Sequence, residues 1–313
     1  MKAKFAVALF FSTITLFAFA QAAPVTHNTW TNGAPIPTAV AGPAGTAVLK
    51  GEIYVVGGVN SSGTYIADTQ VYNPATNAWT TGVPLPTVTF DGVAAVVKNM
   101  LYVIGGSPDG VHVTDAVWAY SPKTKTWTSK SAMPTARASI GVAVEKNIIY
   151  VIGGTDGVNR FTTVESYNPA NDTWTEEAPL LVGKSEPSVG LVRTTIVAAD
   201  GFTPSQWTGD NEGYNAAINT WTSFAPDPTA RNGTCAGGIG PQLYVAGGYD
   251  SFGSALSLTE SFKVSKNKWT TLAAMPQNAE FMGAAVYKGQ LYCIGGWSSF
   301  QGPVLNTAQI YRP

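Results

Sequence analysis

The stretch of sequence that decides the fold reads Ile148-Ile149-Tyr150-Val151-Ile152-Gly153-Gly154, then Val164-Glu165-Ser166-Tyr167-Asn168-Pro169, then Trp174-Thr175. Its most regular feature is an aromatic residue followed seven residues later by Trp, and this pair recurs about every 48 residues. The complete pairs are Tyr72/Trp79, Tyr120/Trp127, Tyr167/Trp174, Tyr214/Trp221 and Phe262/Trp269. A chain that repeats one pattern from end to end is built from copies of one structural unit.

A Gly-Gly pair after the second hydrophobic run recurs with the same period. It is present at 57–58, 105–106, 153–154, 247–248 and 295–296, and the remaining unit carries Ala198-Ala199 instead. Periods of about 40 to 50 residues with four short strands per unit are typical of propeller blades. We therefore expect an all-β fold, a six-bladed β-propeller of four-stranded antiparallel blades whose fourth blade forms without its Gly-Gly.

The two ends of the chain each carry half of a repeat. Trp30 has no partner seven residues before it, and Tyr311 has no Trp after it. A propeller is closed when a strand from one terminus completes the blade formed by the other, because no sheet edge then stays open. The sequence predicts that the strand around Trp30 pairs with the strand ending at Tyr311.

These residues resemble the kelch repeat. The resemblance rests on the run ending in Gly153-Gly154, on the turn Tyr167-Asn168-Pro169 and on Trp174, repeated with variation across residues 24–313. It implies a kelch propeller, a fold used by protein-binding modules, cytoskeletal binders, sugar oxidases and a sialic-acid mutarotase. The fold alone does not choose among these functions.

Composition and charge exclude several classes of function. The net charge is −1 and only 12% of the 313 residues are charged, which gives no support to a nucleic-acid groove or a polybasic membrane patch. Resemblance to the kelch sugar oxidases would imply a copper ion held by two His and two Tyr. The two histidines are His27 and His112, and His27 lies in the N-terminal tail. We expect no metal and no cofactor.

The first 22 residues read as a secretory signal. Lys2 and Lys4 precede an uncharged apolar run over residues 5–19, and small residues for a signal peptidase follow it. The run is shorter than the roughly 20 residues that span a bilayer. We therefore expect a signal peptide at residues 1–22, one propeller domain at 23–313, and a secreted or periplasmic monomer without membrane insertion.

The two cysteines fall in buried strands of different blades. Cys235 lies in the first strand of the fifth unit and Cys293 in the second strand of the sixth. An exported chain has the opportunity to form a disulfide. Because the two strands differ, we favour two separate buried thiols over a disulfide.

The loops that enter the first strand and leave the second strand of each blade lie at the same end of an antiparallel hairpin. With the strands of a blade called A to D, the D–A and B–C loops therefore share one face around the channel mouth. We predict ligand binding there, by residues of both loop sets: Arg137, Arg231, Trp207, Tyr249 and Trp297. Two guanidinium groups converging over the mouth would recognise an acidic ligand. The alternatives are that the arginines bond loop carbonyls and that Trp207 and Trp297 pack over their loops.

Two functions remain open at this level. The first is a binding module that docks a protein or an acidic glycan on the D–A/B–C face. The second is a sugar mutarotase or epimerase resembling the periplasmic N-acetylneuraminate epimerase, with Glu186 and Glu280 as catalytic proton-transfer groups. An enzyme is expected to have a deep axial pocket with converging Arg and Glu, whereas a binder is expected to have a broad surface with exposed aromatic residues.

Overall fold

The fold is a closed ring of six antiparallel sheets in a computed structural model that describes residues 27–300 and 302–313. The predicted signal sequence, residues 1–22, lies outside the described residues. Each sheet is one blade, with strand A next to the axis and strand D outermost. Consecutive A strands contact one another around the axis, so the loops that enter them meet at the channel mouth.

The strands follow one another in chain order as blades. The chain opens with β1 (Thr29–Asn32) and β2 (Val40–Ala41). Blade 1 is β3 (Gly45–Leu49), β4 (Glu52–Asn60), β5 (Tyr65–Asn73) and β6 (Ala78–Thr81). Blade 2 is β7 (Val93–Val97), β8 (Met100–Ile104), β9 (Val117–Ser121) and β10 (Thr126–Ser129). Blade 3 is β11 (Gly141–Glu145), β12 (Ile148–Ile152), β13 (Val164–Asn168) and β14 (Thr173–Glu176).

The second half of the ring has the same order. Blade 4 is β15 (Ser188–Val192), β16 (Thr195–Ala199), β17 (Asn211–Asn215) and β18 (Thr220–Phe224). Blade 5 is β19 (Cys235–Ile239), β20 (Gln242–Ala246), β21 (Thr259–Lys263) and β22 (Lys268–Thr271), with a 3₁₀ turn at Val264–Lys266. Blade 6 is β23 (Gly283–Tyr287), β24 (Gln290–Ile294) and β25 (Ala308–Arg312), completed by β1.

Ring closure is confirmed. Strand β1 pairs antiparallel with β25, and Trp30 lies opposite Tyr311 in the register. Their rings are 5.1 Å apart, and the Trp30 indole donates a hydrogen bond to the carbonyl of Ala273 in blade 5. The N-terminal strand is therefore the outer strand of blade 6 and links it to blade 5.

The repeated Trp residues join each blade to the one before it. Every strand-D Trp donates its indole N–H to a backbone carbonyl of the preceding blade at 2.8–3.1 Å, as in Trp30→Ala273, Trp79→Ala34, Trp127→Val83, Trp174→Ser131, Trp221→Ala178 and Trp269→Ala225. The apolar core consists of six clusters, each shared by two neighbouring blades. The repeated residues therefore form the contacts between neighbouring blades. They recur once per blade because each blade makes the same contacts.

Blade 4 forms as predicted although it lacks Gly-Gly. Strands β15 to β18 pair in order, and Ile196, Val197, Ala198 and Ala199 are fully buried. The expectation that Ala198-Ala199 replace Gly-Gly is wrong, because these alanines lie at the end of β16. Asp200-Gly201 follows the strand instead, with φ angles of 59° and 116° that resemble the 61° and 104° of Gly153-Gly154.

The prediction of two separate thiols is wrong, because Cys235 and Cys293 form a disulfide. Their Cα atoms are 5.7 Å apart, and the bond joins β19 of blade 5 to β24 of blade 6. Neighbouring blades pack face to face, so the first strand of one blade contacts the second strand of the next. Strand order along the chain does not show this proximity.

Two further observations concern the described part of the chain. It contains no helix long and apolar enough to cross a membrane. Across residues 27–300 and 302–313, no group of three or more His, Cys, Asp or Glu side chains is arranged to hold a metal ion.

Candidate functional site at the channel mouth

The D–A and B–C loops lie against each other on one face. In five blades a single backbone bridge pairs the two loops, at Phe90 with Ser107, Ala138 with Thr155, Ser185 with Phe202, Asn232 with Tyr249 and Glu280 with Trp297. In blade 1 the short strand β2 pairs with the end of β4 in the same place. Residues from all blades therefore meet around the channel mouth.

One residue of each D–A loop belongs to a ring around the axis. These residues all have φ between 49° and 63°, and we call them the axial ring: Gly42, Asp91, Ser139, Glu186, Gly233 and Phe281. Five amide-to-carbonyl hydrogen bonds of 2.6–2.9 Å connect neighbouring members from blade to blade. Residues other than glycine rarely adopt this left-handed conformation, which costs roughly 1–3 kcal/mol each. The ring therefore accepts strain at four positions and carries two carboxyl groups to the axis.

A cavity of about 400 Å³ opens at the mouth beside the axial ring. We call it the mouth pocket. Three carboxyl groups line it, from Asp91, Glu186 and Glu280. Aromatic and apolar side chains complete the wall, among them Tyr65, Phe90, Val111, Phe281, Trp297 and Phe300. A second cavity of about 350 Å³ lies between the A strands and shares Asp91, Glu186 and Phe281 with the mouth pocket.

The carboxyl groups of the mouth pocket have few hydrogen-bond donors. Glu280 is 0% exposed, and neither of its carboxyl oxygens has a partner. The Oε2 atom of Glu186 is also buried without a partner. Asp91 accepts a hydrogen bond from the Ser139 hydroxyl. Unpaired buried polar atoms are rare in native structures, and each calls for a binding partner or a functional reason.

Burial raises the pKa of all three carboxyl groups. It raises the pKa of Glu280 to about 7 and that of Asp91 to about 6, although the Ser139 hydrogen bond opposes the shift of Asp91. The pKa of Glu186 lies well above its ordinary value because of burial and the nearby Asp91 and Glu280 carboxyl groups, with Arg160 acting against them. Carboxyl groups with raised pKa values in one cavity mark a candidate functional site.

Arg160 is the cation that faces this cluster. Its guanidinium group lies 5.2 Å from the centre of the Phe202 ring and donates to the Thr155 hydroxyl at 2.8 Å. It lowers the pKa of Glu186 without forming an ion pair with it. The mouth pocket therefore has an excess of acidic groups.

Aromatic side chains form a continuous arc along one side of the mouth. Neighbouring ring centres in this aromatic arc are 5.2–6.1 Å apart, in the order Trp207, Tyr249, Phe281, Trp297, Phe90 and Tyr65. Gly42 makes room for it, since a Cβ atom there would lie 2.1 Å from the Phe90 ring. Such edge and stacked contacts stabilise the loops and hold the rings in place.

Comparison with known proteins identifies the repeat. A family model described as the KLHDC2/KLHL20/DRC7 Kelch-repeats domain matches residues 14–200, and a Kelch motif model matches residues 230–276 and 281–313. The chain belongs to the kelch-repeat family. A solved structure titled "Structure of YjhT" is similar to this kelch propeller with a TM-score of 0.75 and 17% identity, covering 88% of this chain and 96% of that one. At this identity the likeness shows the fold alone. No curated protein matches the chain.

Arg137 and Arg231 were expected at the channel mouth from the sequence. In the kelch propeller they do not lie there. Both side chains are 0% exposed. Arg137 pairs with Glu165 at 2.5 Å, and Arg231 pairs with Glu260 at 3.0 Å and with Asp227 at 3.3 Å. A buried guanidinium needs such partners, and these hold each D–A loop to strand C of its own blade.

A sequence signal for this arrangement exists in the repeat. Lys184 pairs with Glu212 at 3.2 Å in blade 4, so blades 3, 4 and 5 all use the same link. The cation and the acid are 28 or 29 residues apart in each blade, with the acid two residues before the strand-C aromatic residue. A cation and an acid that occur together at fixed repeat positions indicate a structural pair within the blade.

The other predicted residues divide between the mouth pocket and its surroundings. Glu186, Glu280 and Trp297 line the pocket. Tyr249 and Trp207 lie farther along the aromatic arc, where the Trp207 indole donates to the Asn232 side chain at 3.1 Å. Asp91, Phe281 and Arg160 were not among the predicted site residues. Alignment of the six D–A loops on their shared position would have indicated Asp91 and Phe281.

Proposed function

We propose that this kelch propeller is an exported binding module that docks a protein on its D–A/B–C face, with the mouth pocket as the centre of the interface. The observation that carries the proposal is the pair of unpartnered acids, Glu186 and Glu280, in a cavity ringed by fixed aromatic side chains. Buried hydrogen-bond acceptors without donors lower the stability of a fold. Such acceptors are kept where a ligand supplies the missing donors.

Exposed apolar side chains surround the mouth pocket and support a protein ligand. They occupy B–C loops in four blades, with exposed fractions of 74% for Val111, 83% for Val158, 89% for Phe252 and 56% for Phe300. Exposed apolar residues arranged around a pocket are typical of protein interaction surfaces. A glycan in the pocket would leave most of these side chains in water.

The export step remains part of the proposal. The disulfide between Cys235 and Cys293 is of the kind that forms in secreted and periplasmic proteins. This supports removal of a signal sequence at residues 1–22 and a mature chain of residues 23–313. The expectation of an acidic ligand loses its basis, because Arg137 and Arg231 are buried in ion pairs.

The test is a peptide and glycan array screen of the mature protein with two matched variants. Phe252→Ala removes an exposed apolar residue from the proposed face, and Ile218→Ala removes one that is 67% exposed in the C–D turn of blade 4, at the opposite face. We expect peptide binding that Phe252→Ala weakens and Ile218→Ala leaves unchanged. Equal effects of the two variants would place the interface elsewhere.

Sugar isomerisation is a second candidate, favoured by the Glu280 pKa of about 7. In such a reaction a base accepts the anomeric hydroxyl proton while an acid protonates the ring oxygen, and reclosure of the open sugar exchanges the anomers. Glu280 and Glu186 both line the mouth pocket, and Arg160, which lowers the pKa of Glu186, is the nearby cation that would hold an acidic sugar. The test is the rate of anomer exchange of N-acetylneuraminate by NMR, which Glu280→Gln and Glu186→Gln should reduce to the uncatalysed value.

A further inference from the structure

We propose that the mouth pocket receives a lysine or arginine side chain of the bound polypeptide, so that the docking segment of the partner is basic. The inference rests on the proposed function and names the chemistry of its ligand. It follows from the charges, the unpartnered atoms and the walls of the pocket.

The charges of the described residues favour a cation. Asp91, Glu186 and Glu280 line the pocket, and Arg160 faces them. The two arginines that would have reversed this balance, Arg137 and Arg231, are paired with acids inside their blades. In a cavity screened from water, a ligand carboxylate would be repelled by this cluster and a ligand cation attracted to it.

The unpartnered atoms require hydrogen-bond donors. Three buried carboxyl oxygens, two on Glu280 and one on Glu186, have no partner. A lysine ammonium group offers three donors and an arginine guanidinium group five, whereas a hydroxyl offers one. Bonds between ionised groups are also about twice as strong as neutral ones. A basic side chain therefore satisfies these acceptors more fully than a neutral side chain does.

The walls of the pocket suit the same group. Phe90, Phe281 and Trp297 line it and are held in the aromatic arc by contacts of 5.2–6.1 Å. Aromatic faces attract cations, and they pack against the aliphatic stem of a lysine or arginine side chain. Acids at the end of an aromatic-walled cavity thus match a side chain that is apolar along its length and charged at its tip.

A polypeptide fits better than a small amine. Val158 and Phe252 are exposed at B–C loop tips but do not line the pocket. A free amine or an amino sugar would fill the cavity without reaching them. A peptide segment with one basic residue in the pocket and apolar residues beside it covers both features.

The experiment measures binding of pools of short random peptides, each pool with one central residue fixed as Lys, Arg, Gln or Glu. Fluorescence anisotropy with the mature protein at about pH 8, above the Glu280 pKa of about 7, gives the relative affinities. We expect the Lys or Arg pool to bind about tenfold more tightly than the Gln and Glu pools. Glucosamine and glucose serve as sugar probes in parallel.

Three variants at the pocket and one control variant make the result specific to the pocket. Glu280→Gln and Glu186→Gln should each abolish most of the preference for basic pools. Arg160→Gln removes a cation that faces the acids, so it should strengthen that preference. Glu176→Gln, an exposed carboxyl on the outer strand of blade 3, is the control that should change nothing. Thermal unfolding of each variant verifies that it is folded.

The possible failures differ from one another. Peptide binding without preference for Lys or Arg, or a preference that survives both Glu variants, would overturn the inference while leaving the proposed function in place. If no pool binds, the proposed protein-binding function fails with it. A third outcome is that glucosamine binds while glucose and all peptide pools do not. The pocket is then selective for cations, but its ligand is an amino sugar, and the proposal of a basic polypeptide ligand is wrong.

Discussion

At the scale of single residues, one position of the repeat keeps its backbone conformation in every blade while its side chain changes. The axial-ring position holds Gly42 and Gly233 in two blades, where the left-handed backbone is free of strain, and Asp91 and Glu186 in two others. The local backbone is the same, so the difference is in what the side chain does at the mouth. Residues that break the local preference of the repeat are where function is expected.

The pH dependence of stability tests the state of Glu280. Its pKa rises from 4.5 to about 7 on folding. The folded protein therefore holds this proton more tightly, and the associated stability is present below about pH 4.5 and is lost as pH rises through about 7. The shift corresponds to about 3 kcal/mol at most. We expect Glu280→Gln to remove this part of the pH dependence and to be more stable than the parent at about pH 8.

The measurement is denaturant unfolding of parent and variant between about pH 4 and 8. Asp91, Asp200, Asp227 and Glu260 also have raised pKa values, but the causes of those shifts do not include Glu280, so they cancel in the difference. The pKa of Glu186 is raised in part by Glu280, so its shift becomes smaller in Glu280→Gln and changes the difference in the same direction. Glu176→Gln is the exposed control. Parallel curves for the parent and Glu280→Gln would contradict an acid buried without partners.

The buried arginine of blade 3 gives a second prediction at the residue scale. Arg137→Ala leaves Glu165 buried without its cation and should destabilise the fold by about 3–5 kcal/mol. Blade 6 has Ala279 and Gln309 at these two positions, and Gln309 accepts a hydrogen bond from the Gln277 amide. The double variant Arg137→Ala/Glu165→Gln copies this uncharged pair and should regain much of the loss. Denaturant unfolding gives both values, and an unchanged stability for Arg137→Ala would contradict the structural role.

At the scale of elements, the apolar core is formed by contacts between neighbouring blades. Each strand-D Trp bonds to the preceding blade, and each core cluster is shared by two blades. The disulfide is a covalent link of the same kind, because it joins β19 of blade 5 to β24 of blade 6. A blade is therefore stable only beside its neighbours, as expected of a repeat fold.

Removing the disulfide should weaken the contact between blades 5 and 6. The bond closes a segment of 58 residues. The entropy of closing such a loop in the unfolded chain predicts a loss of about 4 kcal/mol for Cys235→Ala/Cys293→Ala. Unfolding curves with and without reductant measure it, with the double variant as the reductant-insensitive control. Two free thiols detected in the unfolded, unreduced protein would show that the bond is absent.

At the scale of the whole molecule, the ring is closed by a strand from the N-terminus. Strand β1 supplies the outer strand of blade 6, and Trp30 packs on Tyr311 while bonding to Ala273. Closure covers the edge of β25, which could otherwise pair with another chain, and it ties blade 6 to blade 1, because β1 continues along the chain into blade 1.

Deletion of residues 23–33 should therefore open the ring. It removes a core Trp, and truncation of a large aromatic residue costs about 3–5 kcal/mol. The exposed edge of β25 should also promote association between chains. Thermal unfolding and light scattering measure the two effects, with Trp30→Phe as the milder variant that keeps an aromatic ring and loses the bond to Ala273. A deletion variant that melts like the parent would refute closure by β1.

The sequence by itself determined the number of blades, the order of their strands and the closure by Trp30 and Tyr311. These follow from packing contacts that repeat in every blade, so the same residues recur at the same spacing. The existence of blade 4 was also predictable from its Tyr214/Trp221 pair, whereas the residues at its Gly-Gly place were misassigned, because Asp200-Gly201 adopts the same backbone conformation.

Only the tertiary structure decided which side chains meet around the axis. The mouth pocket combines Asp91, Glu186 and Glu280 from three blades, and the disulfide joins blade 5 to blade 6. Each of these contacts occurs once, so it leaves no periodic trace in the chain. Arg137 and Arg231 were misplaced because a loop position does not reveal whether a long side chain turns outwards or back towards an acid of its own blade. That choice depends on burial and charge pairing in three dimensions, and here pairing with Glu165 and Glu260 keeps both arginines away from the site.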